Sequence, residues 1–150
     1  MNMFGAEGLA FAVTFSFLIV LIHYESLRLV SHIAQTAPLN PRLKMLVVIM
    51  GVVAAHMIEA GVFAFGYWLG AEILDFGRFV SDVPTTVFQY YYFALETYTT
   101  QSVGDLYPVG GLRVMASLEP LVGLLLIGWS TSLTFILMRR YWRLTPTGKT

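Results

Sequence analysis

Residues 8–22, GLAFAVTFSFLIVLI, hold no charged side chain, and the apolar pattern runs on past His23, Tyr24 and Glu25 to about Val30. A helix over 8–30 is long enough to cross a hydrocarbon core of about 30 Å. A second apolar run, MLVVIMGVVAAHMIEAGVFAFGYWLGA at 45–71, predicts a second spanning helix, with Tyr67 and Trp68 as interfacial anchors near one end. A third runs over 113–138. The stretch 31–44, SHIAQTAPLNPRLK, reads as a loop: Pro38, Asn40 and Pro41 break helix, and Arg42 and Lys44 add charge. Residues 72–84 are polar again, with Glu72, Asp75, Arg78 and Asp82. The next run, PTTVFQYYYFALETYTT at 84–100, is too short to cross and too aromatic for a loop. It predicts a short helix over 84–99, with Ser81 or Asp82 as its cap and Pro84 in its first turn. Around the end of that helix, ETYTTQSVGDLYP at 96–108 gathers Thr99, Thr100, Gln101, Ser102 and Asp105 between two apolar spans.

Composition narrows the class. The chain has 150 residues, 57% hydrophobic and 12% charged, where soluble domains carry about 25% charged residues. A soluble domain of this size cannot hide so much apolar surface. The fold class expected is an all-α membrane protein, one domain over 1–150. There is no cysteine, which removes disulfide, zinc–thiolate and thiol chemistry. The net charge is zero, so no basic field points to nucleic acid. The first seven residues hold Glu7 and no Lys or Arg, which favours a retained helix over a signal peptide. Arg28, Arg42, Lys44, Arg139, Arg140, Arg143 and Lys149 fall on the side of the 31–44 loop and the C-terminus, against Arg78 and Arg113 opposite. This predicts a multi-pass protein of the cell (plasma or inner) membrane, N-terminus outside and C-terminus cytoplasmic, with 72–112 external.

A short helix that enters from outside without crossing is a re-entrant element. Irregular backbone at that depth is tolerated where it lines a wet cavity or is buried in protein. The inward C-terminal end of the helix carries partial negative charge and favours a cation. The polar run after it offers carbonyls and hydroxyls to a dehydrating ion. The segment 84–140 resembles the pore module of the potassium channel superfamily, and is most similar to small bacterial two-helix channels of the KcsA type. The family pattern is T-x-T-T-V-G-Y-G-D followed by a short loop with proline. Here the residues are Thr97, Tyr98, Thr99, Thr100, Gln101, Ser102, Val103, Gly104 and Asp105, with Pro108 beyond. The resemblance covers 45–140 and leaves the first helix as an addition.

It implies a selectivity filter at Thr100, Gln101, Ser102, Val103 and Gly104, with Thr99 at its base. It also implies a pore-helix Glu96 paired with a mouth aspartate, Asp105, and an inner-helix hinge near Gly123, where Pro120 also breaks the helical hydrogen-bond ladder. Four copies would form one pore for monovalent cations, K⁺ and Na⁺, in membrane lipid, without cofactor or enzymatic activity. The filter departs from the family: Ser102 stands for the first glycine and Val103 for the tyrosine. A side chain resists the backbone conformation that glycine allows there, at about 1–2 kcal/mol. Weak K⁺ preference is therefore expected. The alternative is a non-conducting relative that acts as an assembly or sensor partner.

Three ionisable residues stand out inside the second and third predicted spans. His56 and Glu59 lie three apart on one helix face, and Glu119 lies about two turns into the third span. They read as an interhelical hydrogen-bond staple between the outer and inner helices, or else as an ion-handling cluster behind the filter. No metal is expected, since H-x-x-E reverses the E-x-x-H order of di-iron bundles and carboxylates are few. Tyr90, Tyr91, Tyr92 and Phe93 read as an aromatic cuff on the short helix, or as interfacial filler.

Overall fold

The computed structural model describes residues 3–81, 84–101 and 103–142. In it the first loop shrinks to residues 37–40, between α1 (Met3–Thr36) and α2 (Pro41–Trp68). Asn40 accepts a hydrogen bond from the Leu43 N–H at 3.0 Å, and Pro41 begins the helix. Proline is tolerated there because its missing N–H has no partner in a first turn. Two of the residues that read as helix breakers are thus helix starters. α2 runs on through one π-helical turn, Leu69–Ile73. After it come β1 (Gly77–Ser81), α3 (Val87–Tyr98), β2 (Leu106–Gly110) and α4 (Leu112–Tyr141). Three helical stretches, Gly5–Thr36, Pro41–Ile73 and Leu112–Tyr141, are long and apolar enough to cross a membrane. α4 passes Pro120 unbroken.

The short helix begins later than its sequence suggests. Gln89 reaches back to accept the Thr86 N–H at 2.9 Å, so Thr86 and not the 81–84 stretch sets the start. The T-x-x-Q spacing explains this choice. Ser81 lies in β1, and Asp82 falls outside the described residues.

The two strands were not anticipated. They pair antiparallel, with Gly77 opposite Gly110 and Ser81 opposite Leu106. Pro108 is accommodated because a two-stranded ribbon leaves one side of each strand without a ladder. Phe79 anchors the ribbon to the helices. Its ring meets those of Tyr67, Tyr90 and Phe93 edge-on, with centroids 5.5, 5.2 and 5.0 Å away. Each such pair contributes about 0.5–1.5 kcal/mol beyond its burial. Tyr90 and Phe93 are therefore core residues, while Tyr92 is exposed.

The main core joins all four helices through Ile19, Phe63, Tyr67, Tyr98, Met115 and Leu126. A smaller cluster at the opposite end packs Val30, Ala34, Met45, Val48 and Leu137. There Tyr141 donates to the Ala34 carbonyl at 2.9 Å, closing the end of α4 onto the end of α1.

Candidate functional site

Two hydrogen bonds fix the course of α3 along α2. Near its start, Tyr90 donates to Glu72 in the π turn at 2.6 Å. At its last residue, Tyr98 donates to Glu59 at 2.6 Å. Thirteen positions separate Glu72 from Glu59, about 20 Å along a helix. α3 therefore runs beside α2 from its ribbon end to its middle. By Leu106 the chain has returned to the ribbon. The reversal falls between them, where residues 99–101 and 103–105 are described.

Gly123 lets the end of α3 sit against α4. It is buried, and a Cβ there would overlap the Tyr98 carbonyl oxygen. The residue matched to a hinge glycine thus has a packing reason of its own.

The reversal opens with a helix cap of the Schellman type. Gln101 N–H bonds the Glu96 carbonyl at 2.8 Å, and Thr100 N–H bonds the Thr97 carbonyl at 3.0 Å. The motif places its C′ residue in the left-handed region, usually as glycine. Here that residue is Thr100, with φ 64°. A left-handed, β-branched residue costs about 1–2 kcal/mol. Two helix-end carbonyls are consequently occupied by the cap. Gly104 is also left-handed, at φ 87°. Thr99, Thr100, Gln101, Val103, Gly104 and Asp105 are all exposed on the single chain. Ser102, where strain was expected, lies outside the described residues.

Among the described residues, no hydrogen bond joins the Glu96 and Asp105 carboxyl groups. Glu96 is buried, while Asp105 is exposed. The neighbour of Glu96 is Tyr92, one turn earlier on the same face. Hydrogen bonding to Glu96 is the main reason that the Tyr92 phenol pKa is raised, with Asp105 a lesser contributor.

The three intramembrane ionisable residues separate into two places. Glu59, fully buried, collects donors from three helices. His23 Nδ1 on α1 lies 2.8 Å from Oε1, and His56 Nδ1 on α2 lies 3.1 Å from Oε2. Tyr98 on α3 donates to that same Oε2 and also lies 2.8 Å from His56 Nδ1. His23 Nε2 faces Ser130 Oγ on α4 at 3.4 Å. The network ties α1, α2 and α3 together, and its link to α4 is Ser130. Glu119 takes no part in it. Tyr67 donates to Glu119 Oε2 at 2.5 Å, and Oε1 is buried without a partner. His23 is the member that sequence reasoning missed. Its signal was an imidazole inside an apolar run with no partner on its own helix.

Comparison with protein-family models, curated proteins and solved structures finds no match for the chain.

Proposed function

We propose that four copies of this chain form a potassium-channel-like cation pore, with the 99–105 segments around its axis. The observation that carries this reading is the course of residues 87–110. A 12-residue helix runs from the ribbon to the middle of α2, reverses in an irregular polar segment, and returns to the ribbon. In a bilayer such a course is re-entrant. It is stable where the irregular backbone meets water or protein. The exposed hydroxyls and amide of Thr99, Thr100 and Gln101 call for both. Fourfold assembly supplies protein on the flanks and water on the axis. The C-terminal end of α3 contributes partial negative charge toward the ion.

The pore discriminates weakly between K⁺ and Na⁺. Gln101, Ser102 and Val103 stand where the superfamily pattern has Val, Gly and Tyr. The Schellman cap also withholds the Glu96 and Thr97 carbonyls from the ion. Exposed Asp105 follows the segment, and four copies make an acidic ring that concentrates cations. The distribution of Lys and Arg supports a cytoplasmic C-terminus and an external ribbon.

The test is reconstitution of the full-length protein in liposomes, paired with native mass spectrometry of the same preparation. Tetramers that pass K⁺ and Na⁺ but exclude a bulky organic cation support the proposal. Tetramers without flux favour the assembly-partner reading, and a stable monomer contradicts the architecture.

A further inference from the structure

We infer that His23, His56 and Glu59 bind a divalent transition-metal ion of the zinc class, with the Tyr98 hydroxyl as fourth donor. The site stands whether or not the chain conducts ions. One ligand atom from each of His23, His56 and Glu59 lies within 4.8 Å of the other two. Donors around tetrahedral zinc, at 2.0–2.1 Å from the ion, sit about 3.3–3.4 Å apart. The shorter separations are somewhat below that value: His23 Nδ1 to Glu59 Oε1 is 2.8 Å, His56 Nδ1 to Glu59 Oε2 is 3.1 Å, and Tyr98 Oη to His56 Nδ1 is 2.8 Å. Among His23, His56 and Glu59 the widest spacing needs to close by at most about 1.4 Å, and the hydrogen-bonded pairs need to open by about 0.2–0.6 Å, to reach tetrahedral geometry. Side-chain rotation supplies movement of that size without shifting a helix.

The chemistry of the donors agrees. Two imidazoles and one carboxylate suit zinc and neighbouring first-row ions. His56 and Glu59 are one helical turn apart on α2, and α1 brings the third ligand from 36 positions away. His23 and Glu59 are fully buried and His56 is partly buried, so a bound ion would be largely enclosed by protein. A metal-bound histidine usually has a partner on its other ring nitrogen, which fixes ring and tautomer. With His23 Nδ1 on the ion, the ring proton moves to Nε2, and Ser130 Oγ at 3.4 Å is placed to accept it. Ser130 is buried and brings a hydroxyl from α4 to the network. A bound ion would clamp α1, α2 and the last residue of α3, directly before the 99–105 reversal.

The experiment uses tag-free, full-length protein, stripped with chelator and titrated with Co²⁺ as an optical probe. The expected result is one Co²⁺ per chain with the intense visible absorption of a tetrahedral site, bleached by equimolar Zn²⁺. His23→Gln and Glu59→Gln should each weaken Zn²⁺ binding by at least about 100-fold. Ser130→Ala, a positioning change, should weaken it about 10–100-fold. His32→Gln, on an exposed part of α1, should leave it unchanged. Zinc-edge X-ray absorption on the wild-type protein should count two imidazoles, a readout that does not depend on any variant folding. Absence of the tetrahedral spectrum overturns the proposal. So does a count of fewer than two imidazoles, or an affinity indifferent to His23.

Discussion

Replacing Gly123 by alanine separates two roles for that residue by the sign of the stability change. If Gly123 serves only to loosen α4, alanine gains about 0.8–1.0 kcal/mol of helix propensity and stabilises the fold. The packing makes the opposite prediction. The new Cβ would overlap the Tyr98 carbonyl oxygen and lie 3.2 Å from the carbonyl carbon. Those are backbone atoms, which cannot swing aside as a flexible side chain can. The end of α3 has to move away from α4, and Tyr98 moves with it, loosening its bonds to Glu59 and His56. Overpacking of this kind costs about 1–3 kcal/mol. After the propensity gain, a net loss of up to about 2 kcal/mol remains. Gly128 on the same helix is the control, because nothing lies within 4 Å of its would-be Cβ. Gly128→Ala should be neutral or stabilising by up to about 1 kcal/mol. The assay is denaturant unfolding of purified protein in mixed micelles, followed by tryptophan fluorescence and circular dichroism. A Gly123→Ala protein stabilised by the full propensity gain of about 0.8–1.0 kcal/mol would refute the packing argument.

Thr100→Gly should raise stability by about 0.5–1 kcal/mol, since relief of left-handed strain exceeds the entropy cost of glycine, and should lower cation flux by removing the hydroxyl; a loss of stability would contradict the cap assignment. Tyr67→Phe should cost about 1–3 kcal/mol by stranding the buried Glu119 carboxyl, and adding Glu119→Met should recover most of it. Simple additivity of the two changes would show that the pair is not coupled. Asp105→Asn should reduce inward flux at low ionic strength and change it little at high salt, the Debye length being about 10 Å at 0.1 M. A loss independent of salt would rule out the acidic ring.

The spans at 8–30, 45–71 and 113–138 were legible because hydrophobic length is a local property. Their ends were not. Asn40 and Pro41 carry two meanings, and only the Asn40 side chain on Leu43 N–H shows which applies. The ribbon was hidden because GRFVS and LYPVG are short, contain Gly and Pro, and owe their pairing to a partner far along the chain. Phe79 holds them through rings on α2 and α3, which no local pattern records. The pairing of His56 with Glu59 could be read from i, i+3 spacing. Glu119 could be placed by depth along α4 but not by rotation about it, and that rotation sends it to Tyr67. His23 meets Glu59 across 36 positions, so its role depended on how α1 packs. The H-x-x-E spacing, judged within one helix, likewise could not register an imidazole that arrives from α1.

The central claim is that residues 99–105 form a weakly selective cation path. The most direct measurement is the K⁺ to Na⁺ permeability ratio of the purified protein in lipid bilayers under bi-ionic conditions. The predicted result is cation current with a ratio near unity, rising when Gln101, Ser102 and Val103 are replaced together by Val, Gly and Tyr. A wild-type ratio above roughly 100, equal to about 2.7 kcal/mol of discrimination, would contradict the weak filter. The absence of any current from intact tetramers would contradict the pore itself.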